Sequence, residues 1–128
     1  MDEEWTRLYH AASKVINPHD VTKHFYIGSV GAAVLTKSGN IYTGICIDTS
    51  CSLGMCAERN ALSTMLTHGE YVVDKVCAVY EDGSVMPPCG ACREFMMQLG
   101  DYAKKITILL NKEGKVVTLG ELMPEYQY

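Results

Sequence analysis

Apolar residues recur at helical spacing over the first segment of the chain. The pattern i, i+3, i+4, i+7 places them on one face of an amphipathic helix: Trp5, Leu8, Tyr9, Ala12, Val15 and Ile16. Asn17-Pro18 ends the helix, because the residue before a proline is disfavoured in the helical region. The first predicted element is therefore a helix with one face packed on a core.

The remaining pattern alternates short apolar runs with helical segments. Strands are predicted over 27–36, 41–48, 75–80, 106–110 and 115–118, and turn-forming segments such as 37–40 separate them. Helices are predicted over 55–68 and 90–99, with a short helical turn at 120–123. The order α-β-β-α-β-α-β-β predicts an α/β fold with three layers, α/β/α, around a mixed five-stranded sheet.

Length and charge narrow the possible functions. The 128 residues fit one compact domain, so residues 1–128 are expected to form a single domain. The formal net charge is −4, which argues against a nucleic-acid partner. The sequence contains no apolar run of about 18 residues and begins with acidic residues, so we expect a cytoplasmic protein without a membrane partner.

The chain contains six cysteines, and their setting decides how they are interpreted. A cytoplasmic chain that can bury a core uses cysteines as metal ligands, catalytic groups or small buried side chains more than as disulfides. Cys77 lies in an apolar run and is predicted to be in the core, and Cys46 and Cys51 are not expected to be ligands.

Two motifs carry the candidate chemistry, Cys56-Ala57-Glu58 and Pro88-Cys89-Gly90-Ala91-Cys92. Each lies at the predicted start of a helix, where free N–H groups and the helix dipole stabilise thiolates. Cys89 and Cys92 are three residues apart and therefore share one helix face. Three thiolates with an open fourth position are typical of catalytic zinc, which lowers the pKa of a bound water.

Glu58 and two arginines complete this predicted site. Glu58 is placed to take a proton from the water and return it to the reacting substrate. Zinc with three thiolates carries a net charge of −1, so nearby positive charge is expected to help. Arg59 and Arg93 each follow a motif directly and are the predicted charge-neutralising residues.

Both motifs together resemble the signature of the zinc deaminases, in which a glutamate follows one ligand by two residues and P-C-x-x-C comes later. Segments 30–36, 55–61 and 88–94 resemble the small tetrameric cytidine deaminases. The resemblance implies one Zn²⁺ per chain, a homotetramer and a small cytosine-containing substrate. It also implies that backbone groups near Ala57 and the carbonyl of Pro87 position the ring and its amine.

The predicted sugar pocket departs from that family. Cytidine deaminases carry G-x-N-x-E, whereas this chain has Gly44-Ile45-Cys46-Ile47-Asp48. Asp48 keeps a carboxylate, but Cys46 lacks the paired donor and acceptor of asparagine. The family's aromatic residue before V-G-A-A would fall near Gly28.

Two alternatives therefore stay open. The blasticidin S deaminases resemble this chain at Ser29 and in a C-terminal aromatic pair, here Tyr126 and Tyr128, which would stack on the pyrimidine, in a neighbouring subunit's site or in the same one. A thiol-redox or zinc-binding module is the alternative from another class, because two cysteines three residues apart also occur in such proteins.

Overall fold

A mixed β-sheet forms the centre of the computed structural model, which describes residues 1–127. Within that range the sheet has six strands: β1 (His19–Thr22), β2 (Phe25–Thr36), β3 (Ile41–Thr49), β4 (Val73–Tyr80), β5 (Thr107–Leu109) and β6 (Val116–Thr118). The helices over the same residues are α1 (Glu3–Lys14), α2 (Ala57–Thr67), α3 (Gly90–Met97), a 3-10 helix (Asp101–Lys105) and α4 (Leu119–Leu122).

Strand β2 organises the sheet. It runs antiparallel to β3 on one side and to β4 on the other, while β4 is parallel to β5 and β5 is antiparallel to β6. The order β3-β2-β4-β5-β6 is therefore the predicted five-stranded mixed sheet. The additional strand β1 pairs with β2 from Phe25 to Ile27, ahead of the residues from Val30 onward that pair with β4.

Helices cover both faces of the sheet, which confirms the predicted three-layer architecture. On one face, α1 buries Trp5, Leu8 and Ala12 against a cluster formed by Ala33, Leu35, Cys77, Val79, Val85 and Leu109. On the other face, α2 and α3 pack on a second cluster that includes Ala32, Val34, Ala61, Leu62, Met65, Val76 and Met96. Burying these apolar side chains removes them from water and is the main favourable term for this packing.

Close contact between α2 and β3 places the start of α2 beside the sheet. A Cβ atom at Gly44 would lie 2.4 Å from the backbone nitrogen of Ala61, so only glycine permits this approach. The amide of Asn60 donates to the carbonyl of Ile45 at 3.0 Å and fixes the helix along the strand. The first turn of α2, which carries Cys56 and Glu58, is thereby held at one end of β3.

The predicted elements are all present, with shifts at their ends. Helix α2 begins at Ala57 rather than at 55, because Cys56 is its extended N-cap residue, and α3 ends at Met97 rather than at 99. Strand β1 and the 3-10 helix were not predicted. No helix within residues 1–127 has the length and apolar character that crossing a membrane would need.

Candidate active site

Three cysteine sulfurs meet where the first turns of α2 and α3 approach each other. Cys56 is the N-cap of α2, Cys89 is the N-cap of α3, and Cys92 lies in the first turn of α3. The three Sγ atoms all lie within 4.8 Å of one another, and those of Cys56 and Cys89 are 3.4 Å apart. Among the described residues, this is the group of cysteine, histidine and carboxylate side chains that could hold a metal ion.

The helix starts make this group suitable for thiolates. Cys56 and Cys89 have extended backbones, with ψ of 154° and 168°, and neither side chain caps its helix through a hydrogen bond, so both sulfurs stay available. Burial opposes ionisation of Cys89, but the N–H groups of Cys92 and Ala91 donate to its sulfur and hold its pKa below the usual value. Free N–H groups at a helix N-terminus thus favour the anionic form.

The thiol of Cys92 shows why a cation fits here. Cys92 is fully buried, and this burial, together with the nearby Glu58 and Cys56, raises its pKa far above the usual range. Burial likewise raises the pKa of Cys56, although Arg59 opposes the shift. A divalent cation would reverse this balance, because metal coordination deprotonates a thiol. Tetrahedral zinc with bonds of about 2.3 Å separates its sulfurs by about 3.8 Å, close to the observed spacing.

Glu58 is buried beside the sulfurs. It is the second residue of α2 and is 5% exposed. Burial raises the pKa of its carboxyl, while its backbone N–H and the charge of Arg59 act in the opposite direction. A carboxyl whose pKa lies above its usual value is better matched to taking and returning protons near neutral pH. Its side chain lines the same cavity as Cys56 and Cys89.

The two arginines make different contacts. Nη2 of Arg59 donates to Sγ of Cys56 at 3.6 Å, and this contact raises the pKa of the guanidinium. Arg93 instead donates from Nε to the carbonyl of Pro88 at 2.7 Å and from Nη1 to the carbonyl of Leu122 at 3.2 Å. Arg59 therefore adds positive charge at the sulfurs, whereas Arg93 ties the loop before α3 to α4, and its charge-neutralising role stays a prediction.

A cavity of about 260 Å³ opens onto Cys56, Cys89 and Glu58. Four residues predicted to contact substrate line it: Cys46, Asp48, Ala57 and Pro87. Arg59 lines it as well, and the rest of its lining is largely apolar: Val30, Ile47, Gly54, Met55 and Met86. These five residues come from β2, β3 and loops and were not predicted to contact substrate, because only the sheet register and the path of the loops bring them together.

Cys46 joins two strands at the wall of this cavity. Its Sγ accepts a hydrogen bond from the backbone N–H of Val30 at 3.3 Å and lies 3.2 Å from the hydroxyl oxygen of Ser29. Cys46 is 8% exposed and belongs to the core cluster beneath α2. Ser29 therefore contacts a residue of the cavity wall but is not itself among the residues that line the cavity.

Gly28 explains the missing aromatic residue before V-G-A-A. Its φ is +88°, and a Cβ atom there would lie 2.3 Å from the carbonyl oxygen of Asn17. Any larger side chain would therefore collide with the backbone that follows α1. The register between β2 and β3 also shifts between Ile27 and Gly31, so the strand bulges at this point.

Tyr126 lies away from this cavity within its own chain. Its hydroxyl donates to the carboxylate of Glu94 and lies 2.9 Å from the side-chain nitrogen of Gln98, and its ring lines a separate cavity of about 180 Å³. The geometry therefore does not support contact between Tyr126 and a substrate in the cavity of its own chain. Contact with a substrate bound in a neighbouring chain stays a prediction. Tyr128 lies outside the described residues.

The other cysteines are separate from the sulfur group. Cys77 is 1% exposed in the core beneath α1, as predicted, and burial raises the pKa of its thiol to about 12. Cys51 is exposed in the loop after β3, where its sulfur contacts the hydroxyl of Thr49 at 3.4 Å. Neither belongs to the candidate metal group.

Comparison with known sequences gives one family. The sequence pattern of the cytidine and deoxycytidylate deaminase zinc-binding region matches residues 3–110. A cytidine deaminase of Halalkalibacterium halodurans is 38% identical over 98 residues, which are 74% of this chain and 74% of that protein. A blasticidin-S deaminase of Bacillus cereus is 33% identical over 125 residues, 89% of this chain and 84% of that protein.

Solved structures agree with the sequence comparison. The cytidine deaminase of Mycobacterium tuberculosis superposes with a TM-score of 0.81 at 26% identity, covering 99% of each chain. That of Mycobacterium leprae superposes with a TM-score of 0.79 at 28% identity, covering 97% of this chain and 100% of the other. The likeness extends over nearly the whole length of both.

Proposed function

Because the chain belongs to the cytidine and deoxycytidylate deaminase family and is a zinc-dependent hydrolytic deaminase, we propose that it removes the 4-amino group from a cytosine nucleoside. Cytidine and deoxycytidine would give the uracil nucleoside and ammonia. The observation that carries the proposal is that the buried carboxyl of Glu58 lines one cavity together with Cys56 and Cys89, two of the three clustered cysteines. In this proposal one zinc ion per chain is held by Cys56, Cys89 and Cys92.

The proposed chemistry uses one water and two proton transfers. When bound, zinc lowers the pKa of water and so supplies a nucleophile at neutral pH. Glu58 accepts the proton of the attacking water and gives it to the ring nitrogen next to C4. Glu58 then takes the second proton from the hydroxyl now on C4 and transfers it to the leaving amine as the C4–N bond breaks, and the oxygen becomes the carbonyl at C4. Water and the cytosine ring are thereby converted to a uracil ring and ammonia.

Residues around the cavity orient the ring. Pro87 and Ala57 line the cavity together with Cys89 and Glu58, and the carbonyl of Pro87 and a backbone N–H near Ala57 are the proposed contacts with the ring. A backbone carbonyl accepts a hydrogen bond from an amine and an N–H donates to a ring carbonyl, so this pair recognises the polar edge of cytosine. Arg59 offsets the negative charge that the three thiolates bring.

The sugar end supports a second candidate substrate. Cys46 offers a sulfur already engaged with Val30 and Ser29 where a sugar hydroxyl would need a strong donor and acceptor. The relative from Bacillus cereus that is 33% identical over most of this chain is a blasticidin-S deaminase. A cytosine derivative with a different sugar part is therefore the alternative substrate for the same chemistry.

A panel of substrates tests the proposal. Purified protein with measured zinc content is incubated with cytidine, deoxycytidine, free cytosine, blasticidin S and N4-substituted cytidines, and conversion of the cytosine ring to a uracil ring is followed by ultraviolet absorbance. Turnover of cytidine or deoxycytidine supports the first substrate class, and turnover of blasticidin S alone supports the second. Absence of conversion of every substrate, with one zinc per chain present, would overturn the proposal.

The assembly is a separate proposal. The resemblance to small tetrameric enzymes leads us to expect a homotetramer. Light scattering on a size-exclusion column measures the mass directly, and the chain mass of 14.1 kDa sets the scale. A monomer at working concentration would contradict this expectation.

A cytoplasmic location stays a prediction.

A further inference from the structure

The loop that leads into α3 contains two residues without a backbone donor. Pro87 and Pro88 carry no N–H, so the rest of the protein can hold this pair by hydrogen bonds only through their carbonyls. Before the pair, the N–H of Met86 donates to the carbonyl of Ala78 at 2.9 Å, and after it the chain reaches Cys89 at the start of α3. The positions of Pro87 and Cys89 in the cavity lining therefore depend on what holds these carbonyls.

Arg93 binds two consecutive carbonyls of this part of the chain. Its backbone N–H donates to the carbonyl of Cys89 at 3.0 Å, within the first turn of α3, and its side-chain Nε donates to the carbonyl of Pro88 at 2.7 Å. Pro88 is buried between the exposed Pro87 and Cys89. A hydrogen bond from a charged donor is shorter and stronger than one between neutral groups. This contact therefore fixes the peptide unit between Pro88 and Cys89.

The other half of the guanidinium is attached to an anchored helix. Nη1 of Arg93 donates to the carbonyl of Leu122 at 3.2 Å. Leu122 is the last residue of α4, where carbonyls have no partner within the helix. This helix is itself held in place, because Thr118 and Glu121 cap its start reciprocally and Leu119 is fully buried. Arg93 thus holds the loop before α3 against a fixed part of the C-terminal segment.

The charge of Arg93 is poorly placed to stabilise α3 or the sulfurs. It is the fourth residue of α3, near the positive end of the helix dipole, where a cation is unfavourable. Within residues 1–127 its side chain is hydrogen-bonded to the two carbonyls and does not line the cavity, whereas Arg59 donates to Sγ of Cys56 and lines it. The contact with the loop is therefore the feature that links Arg93 to the site.

We propose that Arg93 is a positioning residue for the deamination: by holding the carbonyl of Pro88 against α4, it sets the directions of the Pro87 carbonyl and the Cys89 sulfur. A proline ring fixes its own φ and restricts the residue before it, so the two prolines turn as a unit when the peptide after them turns. The inference rests on the proposed function, in which the carbonyl of Pro87 accepts from the amine of cytosine and Cys89 is a zinc ligand. Arg93 acts through these two groups.

Two substitutions separate this role from a purely electrostatic one. Counted along the side chain, Nε of arginine corresponds to a CH₂ carbon in lysine and to the amide nitrogen in glutamine. Arg93→Lys therefore keeps the positive charge but has no donor at the position that binds Pro88. Arg93→Gln has a donor at that position but carries no charge, and its side chain ends before Leu122.

We expect Arg93→Gln to stay closer to the wild-type protein than Arg93→Lys. Groups that orient metal ligands typically change metal affinity or activity by 10–100-fold when they are lost, so in Arg93→Lys the kcat for the preferred nucleoside and the zinc affinity should each fall about tenfold. In Arg93→Gln both should fall about threefold or less, because one neutral hydrogen bond remains. Ultraviolet absorbance follows turnover, and chelator competition measures zinc affinity. KM should change less than kcat, because the amine is held most tightly as it leaves.

Glu94→Ala is the matched control on the same helix. Glu94 follows Arg93 directly and holds the same C-terminal segment, because the hydroxyl of Tyr126 donates to its carboxylate and Gln98 donates to it at 2.8 Å. In the part of the chain that the structure describes, these contacts go to the segment and to α3 rather than to the two-proline loop. We expect the unfolding midpoint of Glu94→Ala to fall while kcat, KM and zinc affinity stay unchanged.

Each outcome decides the inference. Larger losses in Arg93→Lys than in Arg93→Gln, with unchanged kcat and zinc affinity in Glu94→Ala, support positioning. Larger losses in Arg93→Gln would overturn it in favour of the charge-neutralising role, and equal losses, no losses, or a similar loss in Glu94→Ala would overturn it as well. Zinc affinity is measured without substrate, so the comparison still tests Arg93 if the zinc-loaded wild-type protein converts no nucleoside. That last result would overturn the proposed function alone.

Discussion

The lining of the cavity comes from two parts of the fold, and we call the residues at the helix starts its helix end and those on the strands its strand end. At the end that holds the sulfurs and Glu58, the reactive side chains come from the first turns of two helices. At the other end they come from cross-strand neighbours, with Cys46 bridging β3 to Val30 and Asp48 opposite Tyr26. Helix N-termini supply free N–H groups and a positive dipole end that a thiolate or a zinc site uses directly. Paired strands have no such free backbone groups, so the chemistry on them depends on which side chains occupy neighbouring positions.

This difference predicts how the two ends respond to substitution. Changes at the helix starts should remove the reaction itself, while changes on the strands should alter which substrate reacts and how well it binds. The expected effects therefore decrease from the sulfurs, through Glu58 and Arg59, to Cys46 and Ser29.

Cys56→Ala should have the largest effect. Removing one of three proposed ligands leaves Cys89 and Cys92, so we expect well under one zinc per chain and no measurable turnover. Metal analysis of the purified protein and an ammonia assay measure both. Cys51→Ala is the matched control, because Cys51 is exposed and lies outside the sulfur group. An undiminished zinc content in Cys56→Ala would contradict the assignment of Cys56 as a ligand. It would favour the alternative of a zinc-binding module that uses two cysteines.

Glu58→Gln should remove turnover without removing zinc. The amide keeps the size of the side chain but cannot accept the water proton, so we expect kcat to fall about a thousandfold or more. Glutamine has nearly the same shape as glutamate, so the packing around this buried side chain should be preserved. Zinc content and kcat are measured together, and Glu113→Gln, at an exposed glutamate, is the control. If Glu58→Gln stays active, the proton shuttle has been assigned to the wrong residue.

The same difference explains what the sequence could predict. The sequence alone identifies the residues of the zinc site, because their spacing on two short segments near helix starts is typical of catalytic zinc: Cys56, Glu58, Cys89 and Cys92. The helices and the five core strands follow from hydrophobic periodicity, which is strong in α1 and in the buried end of β2.

The missed features have physical reasons as well. Strand β1, with the sequence His-Asp-Val-Thr, is exposed at all four residues, so it shows no alternation of apolar and polar positions. The position of Asp48 opposite Tyr26, and of Tyr26 opposite Asp20, depends on the pairing register of three strands, which no local sequence pattern records. The contacts of Arg93 with Pro88 and Leu122 likewise join loops that are far apart in sequence.

Arg59→Gln should have an intermediate effect. It removes the guanidinium that donates to Sγ of Cys56 while keeping an amide of similar polarity. Groups that hydrogen-bond to metal ligands typically change metal affinity or activity by 10–100-fold, so we expect about a tenfold loss of zinc affinity or kcat. A chelator competition and steady-state kinetics measure these. Arg7→Gln, on exposed α1 surface away from the sulfurs, should change neither. Equal zinc affinity and equal kcat in the two variants would show that Arg59 has no role at the zinc site.

Cys46→Ala should change binding more than chemistry. The substitution removes the sulfur that accepts from Val30 and contacts Ser29, while Glu58 and the three ligands stay in place. A single hydrogen bond contributes about 0.5–1.5 kcal/mol, so we expect KM for the preferred nucleoside to rise about threefold with kcat nearly constant. Cys46→Ser, which keeps an acceptor of similar position, should recover part of the loss. A fall in kcat equal to that in kcat/KM would show that the two ends are not separable.

Ser29→Ala should have the smallest effect at this end. It removes the hydroxyl 3.2 Å from Sγ of Cys46, but the backbone N–H of Val30 continues to donate to that sulfur at 3.3 Å. Cys46 therefore stays in place, and we expect KM to rise less than twofold and the unfolding midpoint to change little. Steady-state kinetics on the preferred substrate and thermal unfolding measure both. A KM effect larger than that of Cys46→Ala would mean that Ser29 contacts the substrate itself, and the serine would then replace the cysteine as the residue that distinguishes this sugar pocket.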